Sequence, residues 1–296
     1  MSKINYSIII PYKNSPDLLQ RCIDSIPVRD DIQVIVVDDN SDKEKKASTF
    51  RSGMEVIYVD ASSSKGAGRA RNIGLTAAMG EWLLFADSDD FYEDNAFLIF
   101  DEYKDSDYQV VFLNSIFVEN ETLKRLQKYT AFLSVDEYDG TQYALDKIKY
   151  VTRVPWAKMV RRDFQQKYNM QFEEAVIGND IFFSYQVGYY GEKFAVDKRV
   201  VYVYTKNANS ISNKKKNLAS YKQLMITYAK IKRFMRFIGP REWSPSQFVF
   251  WGQILKYESF AMILRTLYLY VTTYKEIKKN EGEYVDYFKD GINKLK

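Results

Sequence analysis

The sequence predicts an α/β fold: a Rossmann-like mixed sheet flanked by helices, with a helical extension at the C-terminal end. Three observations carry this. Short β-branched apolar runs alternate with helix-period segments through the first third of the chain. Each apolar run stops in a polar cluster. Beyond Asn217 the alternation ends and long helical patterns take over.

The elements follow in order. Ser7-Ile8-Ile9-Ile10-Pro11 is a β-branched run closed by proline, the pattern of a strand buried on both faces. A helix is expected from Ser15 or Pro16, with Leu18, Leu19, Cys22, Ile23 and Ile26 on one face. Ile32 to Val37 forms the next strand and ends in Asp38-Asp39; Glu55 to Val59 forms a third. A glycine-containing turn opens a helix from about Ala67 to Met79. Trp82-Leu83-Leu84-Phe85-Ala86 is a fourth strand and runs into Asp87-Ser88-Asp89-Asp90. Three polar clusters, Tyr12-Lys13-Asn14, Asp38-Asp39 and Asp87 to Asp90, thus lie at strand ends. Ligands of open α/β sheets bind beyond the carboxyl ends of the strands, so all three are expected at one crevice.

Two divisions are expected, residues 1–216 as an α/β body and 217–296 as a helical region. From Lys215 onward 16 Lys/Arg stand against 7 Asp/Glu, whereas the body is acidic and the whole chain carries +4. Tyr221, Leu224, Met225, Tyr228 and Ile231 mark one helix of the tail, and Phe248 to Tyr274 another. The latter is interrupted by Lys256, Glu258 and Arg265, so no membrane span is predicted. The N-terminus runs directly into a strand pattern without a signal peptide, and the expected location is the cytoplasm.

The chain has one cysteine and no histidine. An internal disulfide is excluded, and Cys22 reads as a core thiol. Ser-His-Asp and Cys-His catalysis are excluded, as is a His-ligated zinc site. Acid–base chemistry must therefore fall to carboxylates, and a bound metal must be a hard, oxygen-ligated ion such as Mg²⁺ or Mn²⁺.

Within that limit, Asp87-Ser88-Asp89 is the strongest chemical signal. Alternate carboxylates at a strand end can converge on a divalent cation, which would neutralise a diphosphate. The plain alternative is a solvated acidic turn with Asp90 capping the helix near Glu93 to Phe100. Asp39 can accept the imide N–H of a uracil, or Asp38 and Asp39 can simply make an Asx-turn. Lys65-Gly66-Ala67-Gly68-Arg69-Ala70-Arg71-Asn72 is not a dinucleotide fingerprint, because Arg71 stands where the third glycine belongs. Glycines opening a helix that carries two arginines still suit phosphate. Asp180, after Gly178-Asn179 and before Ile181-Phe182-Phe183, is a candidate general base or a helix N-cap. Trp156 is a sugar platform or a core residue, with Lys158 nearby for phosphate. Lys214-Lys215-Lys216 is a solvated run, or meets pyrophosphate or an anionic membrane.

Taken in order, these landmarks resemble the family 2 glycosyltransferases, over roughly residues 5–212. They are Ser7 to Asn14, Val36 to Ser41, Gly68 to Gly74, Asp87 to Asp90, Trp156-Ala157-Lys158 and Gly178-Asn179-Asp180. The resemblance implies a GT-A fold and an inverting, metal-dependent transfer, usually from a UDP-sugar, in bacterial surface-polysaccharide synthesis. It implies that Pro11, Tyr12, Asn14 and Asp39 hold the nucleoside, with Arg71, Asn72, Asp87 and Ser88 alongside. It implies Asp89 as the direct ligand of Mn²⁺ or Mg²⁺, with Asp87 acting with it, and Asp180 as the base that deprotonates the acceptor hydroxyl. Trp156, Lys158 and Asn179 are then expected at the donor or acceptor sugar. Where the family commonly has Glu-Asp at the base, this chain has Asn179-Asp180. Where it often has a histidine near Ser210-Ile211-Ser212, this chain has none.

The expected partners are a UDP-sugar donor and a glycan or lipid-linked acceptor. The basic tail is expected to meet a membrane surface, to pack on the body, or to join copies of the chain in a homo-oligomer. No nucleic-acid motif accompanies its charge, so nucleic acid is not an expected partner. Two other functions fit parts of the pattern. One is a sugar nucleotidyltransferase, against which Pro11-Tyr12-Lys13-Asn14 counts, standing where that class carries a glycine-rich loop. The other is a non-catalytic sugar- or membrane-binding module, against which the intact acids at 87, 89 and 180 count.

Overall fold

The computed structural model describes residues 3–51, 53–60, 66–126, 135–175, 177–207, 217–237, 251, 255 and 259–279. The chain forms two compact units, residues 1–210 and 211–296.

The first unit is built on one eight-stranded sheet. Its elements are β1 (Tyr6–Tyr12), α1 (Pro16–Asp24), β2 (Ile32–Asp38), β3 (Met54–Tyr58), α2 (Ala67–Ala77), β4 (Trp82–Phe85), β5 (Phe91–Tyr92) and α3 (Ala96–Tyr103). Then follow β6 (Val110–Glu119), α4 (Gln142–Val151), β7 (Lys158–Arg161), α5 (Arg162–Lys167), α6 (Ile181–Tyr190) and β8 (Phe194–Lys206). The strand order is β3-β2-β1-β4-β7-β6-β8-β5. Strands β1 to β4 are mutually parallel; β7 is antiparallel to both β4 and β6, and β5 is antiparallel to β8.

The apolar runs are explained by burial on both faces. On β1, Tyr6, Ile8, Ile10 and Tyr12 join one core with Leu19, Cys22 and Ile23 of α1 and Phe97, Ile99 and Phe100 of α3. Ile9 points the other way, into a second core with Ala70 and Leu75 of α2 and Phe183 and Val187 of α6. Every residue of β1, β2 and β4 is buried, so an alternating pattern is absent from their sequences. Ser7, the polar exception on β1, donates to Gln33 Oε1 at 2.6 Å and accepts from the Gly80 N–H at 2.8 Å.

β2, β1 and β4 are adjacent, and their carboxyl ends deliver the three polar clusters side by side. The reversal of chain order around β1 makes this the switch point where an open α/β sheet forms a crevice.

The second unit contains α7 (Leu218–Phe237) and α8 (Phe260–Lys279). Asn217 Oδ1 accepts the Ser220 N–H at 2.9 Å, an N-cap for α7. Tyr221, Leu224, Met225 and Ile231 are buried as expected; Thr227 takes the buried position beside a half-buried Tyr228. No helix among the described residues is long and apolar enough to cross a membrane. Lys65, Ser210-Ile211-Ser212, Lys214-Lys215-Lys216, and residues 248–250, 252–254 and 256–258 lie outside the described residues.

Candidate active site

The acidic strand end after β2 divides its labour. Asp38 is buried and accepts the Ser41 and Ala47 N–H groups at 2.8 and 3.0 Å, the Asx-turn that Asp makes readily. Asp39 is buried also, and its Oδ2 accepts the Gly66 N–H at 3.1 Å, tying β2 to the start of α2. Asn14, with a left-handed φ of 59°, interlocks the neighbouring loop: its N–H donates to Ser41 Oγ at 2.9 Å and its Oδ1 accepts from the Asp42 N–H at 2.7 Å. Pro11 closes β1 opposite Val37. The Tyr12 ring is in the core, its hydroxyl donates to the Lys45 carbonyl at 2.5 Å, and its own carbonyl accepts the Asp39 N–H at 2.9 Å.

Arg71 is the centre of the site. It is buried on α2, donates to Asn179 Oδ1 at 2.7 Å, and forms an ion pair with Asp87. Its guanidinium lies over the Phe172 ring, 5.3 Å from the centroid. A buried guanidinium needs its charge answered, and the two partners come from the end of β4 and the approach to α6. Arg71 thus joins three segments that are remote in sequence.

Asn179 and Asn72 are both bonded within that assembly. Asn179 is buried, with its oxygen on Arg71 and its amide on the Ala175 carbonyl at 3.2 Å. Asn72 clamps Phe172, donating to its carbonyl at 2.9 Å and accepting its N–H at 2.8 Å, as a neighbouring strand would. The loss of a carboxylate at 179 has a reason here, since a neutral amide can accept from Arg71 and donate to Ala175 at once.

Asp180 sits at the N-cap position of α6 but makes no side-chain cap bond. It is half-buried. Desolvation raises its pKa, the nearby Asp87 charge pushes the same way, and Arg71 and Lys158 oppose. A carboxylate raised in this way at a cleft is suited to take a proton.

Asp87, Ser88 and Asp89 are half-buried in the turn after β4. Desolvation, and then the charge of Asp87, push Asp89 up to about 6. Asp90, read as a helix cap in the plain alternative, is instead fully buried and accepts the Tyr202 hydroxyl and the Thr205 N–H at 2.9 and 2.7 Å.

Trp156 takes the core place that was the alternative to a sugar platform, and Lys158 is buried as well. Trp156 is 4% exposed and stacks on Tyr202, with centroids 5.0 Å apart and planes 9° from parallel. Lys158 is 4% exposed and its ammonium donates to the Thr152 and Val154 carbonyls at 2.9 and 2.6 Å. Apolar packing takes the ring and main-chain oxygens take the ammonium.

Two sets of residues escaped the sequence reading. Tyr202 and Thr205 of β8, with Arg21 of α1, hold the Asp87–Asp90 turn from beneath. Gly68 brings α2 against the segment before α6: a Cβ there would stand 1.9 Å from the Glu173 carbonyl oxygen. Its glycine signal was visible, but as an open phosphate-binding turn rather than a close approach.

The profile of glycosyl transferase family 2 matches residues 7–169. A poly(ribitol-phosphate) beta-glucosyltransferase of Bacillus spizizenii is 35% identical over 100 residues, covering 31% of this chain and 16% of that protein. The uncharacterized glycosyltransferase EpsJ of Bacillus subtilis is 24% identical over 217 residues, covering 70% of this chain and 62% of its own length. The chain therefore spans less than two-thirds of either relative. Among solved structures, S. aureus TarS 1–349 in complex with UDP-GlcNAc superposes with a TM-score of 0.60 at 20% identity, covering 77% of this chain and 67% of that one. That likeness establishes the GT-A fold. The matched profile spans more than half of the chain, including β1 to β4 and the Asp87–Asp90 turn, and the protein belongs to glycosyl transferase family 2.

Proposed function

We propose that this protein transfers a hexose from a UDP-sugar to a hydroxyl of a glycan or lipid-linked acceptor, with inversion, in surface-polysaccharide synthesis. The observation that carries the reading is Asp180. It occupies a helix N-cap position without capping, lies half-buried, and shares its electrostatic surroundings with Arg71 and Asp87. In the proposed step the acceptor oxygen bonds to the anomeric carbon while the bond to the diphosphate breaks. Asp180 takes the hydroxyl proton, and UDP leaves from the opposite face. Asp39, Asn14 and Ser88 would line the nucleoside side. Arg71 fixes Asp87 and keeps positive charge at the crevice.

The residues fit a divalent ion of one particular kind. Among the described residues no group of three or more His, Cys, Asp or Glu side chains converges on a metal. Mg²⁺ and Mn²⁺ are commonly held by one or two carboxylates together with substrate phosphates. Asp89 suits this mode, because its pKa rises through burial and the neighbouring Asp87 charge, a strain that a cation relieves. Asp89, with Asp87 beside it, would hold the ion, which when bound neutralises the charge of the diphosphate. The TarS complex with UDP-GlcNAc is the precedent for a UDP-sugar donor on this fold.

A peripheral membrane contact at the inner face of the cell membrane belongs to the same proposal. Phe260, Leu264, Leu267, Tyr268 and Val271 of α8 are all exposed. Their spacing puts them on one face of the helix. With the lysines at 275, 278 and 279, this is the composition of a helix that lies in a membrane interface.

A panel of sugar nucleotides, assayed for hydrolysis with and without Mn²⁺, tests the donor. One UDP-sugar should turn over only with metal, and Asp180→Asn should keep UDP binding while losing transfer to an acceptor. Substantial transfer by Asp180→Asn would remove that residue as base.

A further inference from the structure

The acidic turn that carries the proposed metal site is held by its main chain, and the holding residues lie on β8. Tyr202 is fully buried, and its ring is fixed on two sides. Trp156 stacks on it at 5.0 Å, and Tyr92 meets it edge-on with centroids 5.5 Å apart. The hydroxyl so aimed accepts the Asp87 N–H at 2.9 Å and donates to Asp90 Oδ2 at 2.9 Å. Three residues along β8, the Thr205 N–H donates to Asp90 Oδ1 at 2.7 Å and the Thr205 hydroxyl donates to the Asp89 carbonyl. Arg21 reaches the same carbonyl from α1 at 2.6 Å. The turn closes on itself through Asp90 N–H to the Asp87 carbonyl at 3.0 Å, and β5, which follows it, pairs Tyr92 with Tyr202.

These bonds leave a distinct residue. The Asp87 N–H, the Asp89 carbonyl and the Asp90 carboxylate are all committed to β8 and α1. Among the described residues, Asp87 keeps one carboxylate oxygen beyond its ion pair with Arg71, and the Asp89 carboxylate takes no hydrogen bond from another side chain. We propose that Tyr202 is a positioning residue that sets the Asp87–Asp89 turn for a diphosphate-bound divalent cation, and that Trp156 acts through it by fixing its ring. The inference rests on the metal reading above and deepens it. It also gives Trp156 a part in the site without contact with sugar. A first coordination shell is only as precise as the residues that orient it.

Tyr202→Phe tests this cleanly, because it removes the hydroxyl and keeps the ring between Trp156 and Tyr92. Thr205→Val provides a second, near-isosteric variant that keeps the Thr205 N–H. The measurement is the Mn²⁺ concentration for half-maximal stabilisation of the protein by UDP, read by thermal shift and repeated as Mn²⁺ binding by electron paramagnetic resonance at a temperature where each variant is folded. The midpoint is expected to rise about tenfold or more in Tyr202→Phe, and in the same direction in Thr205→Val. UDP affinity at saturating Mn²⁺ should change much less, a separation that a merely structural loss would not produce. Metal-dependent UDP binding in the unaltered protein with midpoints within twofold in both variants overturns the positioning role alone. UDP binding that ignores Mn²⁺ and Mg²⁺ in the unaltered protein overturns the metal reading and this inference with it.

Discussion

Gly68→Ala sets two known effects against each other. Replacing glycine by alanine within a helix ordinarily stabilises by about 0.5–1 kcal/mol, through reduced freedom of the unfolded chain. At Gly68 the added methyl would lie 1.9 Å from the Glu173 carbonyl oxygen and 2.8 Å from Asn179 Cβ. Carbon and oxygen in the closest favourable contact stay about 3.3 Å apart, so the Glu173 main chain must retreat by roughly 1.4 Å. That main chain cannot turn aside as a flexible side chain could. The Glu173 N–H is bonded to the Asn179 carbonyl at 2.9 Å, and Phe172 beside it is clamped by Asn72. Overpacking of this kind costs about 1–3 kcal/mol, and a clash with main chain belongs at the upper end, which leaves a net loss of up to about 2.5 kcal/mol. The same retreat moves Asn179, hence Arg71 and Asp180. A misplacement of about 1 Å at a reacting group lowers the rate by the order of 10²-fold. Urea unfolding and single-turnover transfer measured on Gly68→Ala check both numbers. A variant as stable as the parent, with transfer within twofold, would refute the packing of α2 against the segment before α6.

Lys158 and the tail give two more tests. Burial pushes the Lys158 ammonium down to about 7 from 10.5, so between those values the unfolded chain binds more protons than the folded one. The stability contributed at this site should therefore rise with pH across that window, by at most about 1.4 kcal/mol per pH unit. Urea unfolding from pH 7 to 10 should show this slope in the parent relative to Lys158→Met; parallel profiles would argue that the buried ammonium keeps its proton. Leu264→Glu with Leu267→Glu should abolish co-sedimentation with anionic vesicles, and added salt should weaken binding of the parent. Unchanged vesicle binding would remove α8 as the membrane face.

Much of the first half of the molecule is local in origin, and so was legible. The runs Ile8-Ile9-Ile10 and Val34 to Val37 leave no choice but a strand buried on both sides, and Pro16 at the first helical turn starts α1. Because parallel strands follow one another through crossover helices, the ends of β1, β2 and β4 had to deliver Asn14, Asp39 and Asp87 together. β7 was invisible by the same reasoning. Lys-Met-Val-Arg has no strand pattern, and its place between β4 and β6 is fixed by antiparallel pairing with residues some 50 to 80 positions away.

Within the site, residue types were readable and their division of labour was not. From the sequence by itself one could name oxygen chemistry, since there is no histidine, and the acids at 39, 87, 89 and 180. Which acid is structural depends on the donors the fold sets against it, some from the adjoining loop and some from distant strands. Asp38 is consumed by the Ser41 and Ala47 amides, and Asp90 by Tyr202 and Thr205. Trp156 and Lys158 read as sugar and phosphate contacts because an aromatic face and an ammonium suit those ligands. Tertiary packing gave the face to Tyr202 and the ammonium to two main-chain carbonyls. Local pattern thus determined the strands, the strand ends and the kind of chemistry. Only the folded sheet decided which polar groups are satisfied within the protein and which remain for a ligand, because pairs such as Arg71 with Asn179 and Asp90 with Tyr202 lie more than a hundred residues apart.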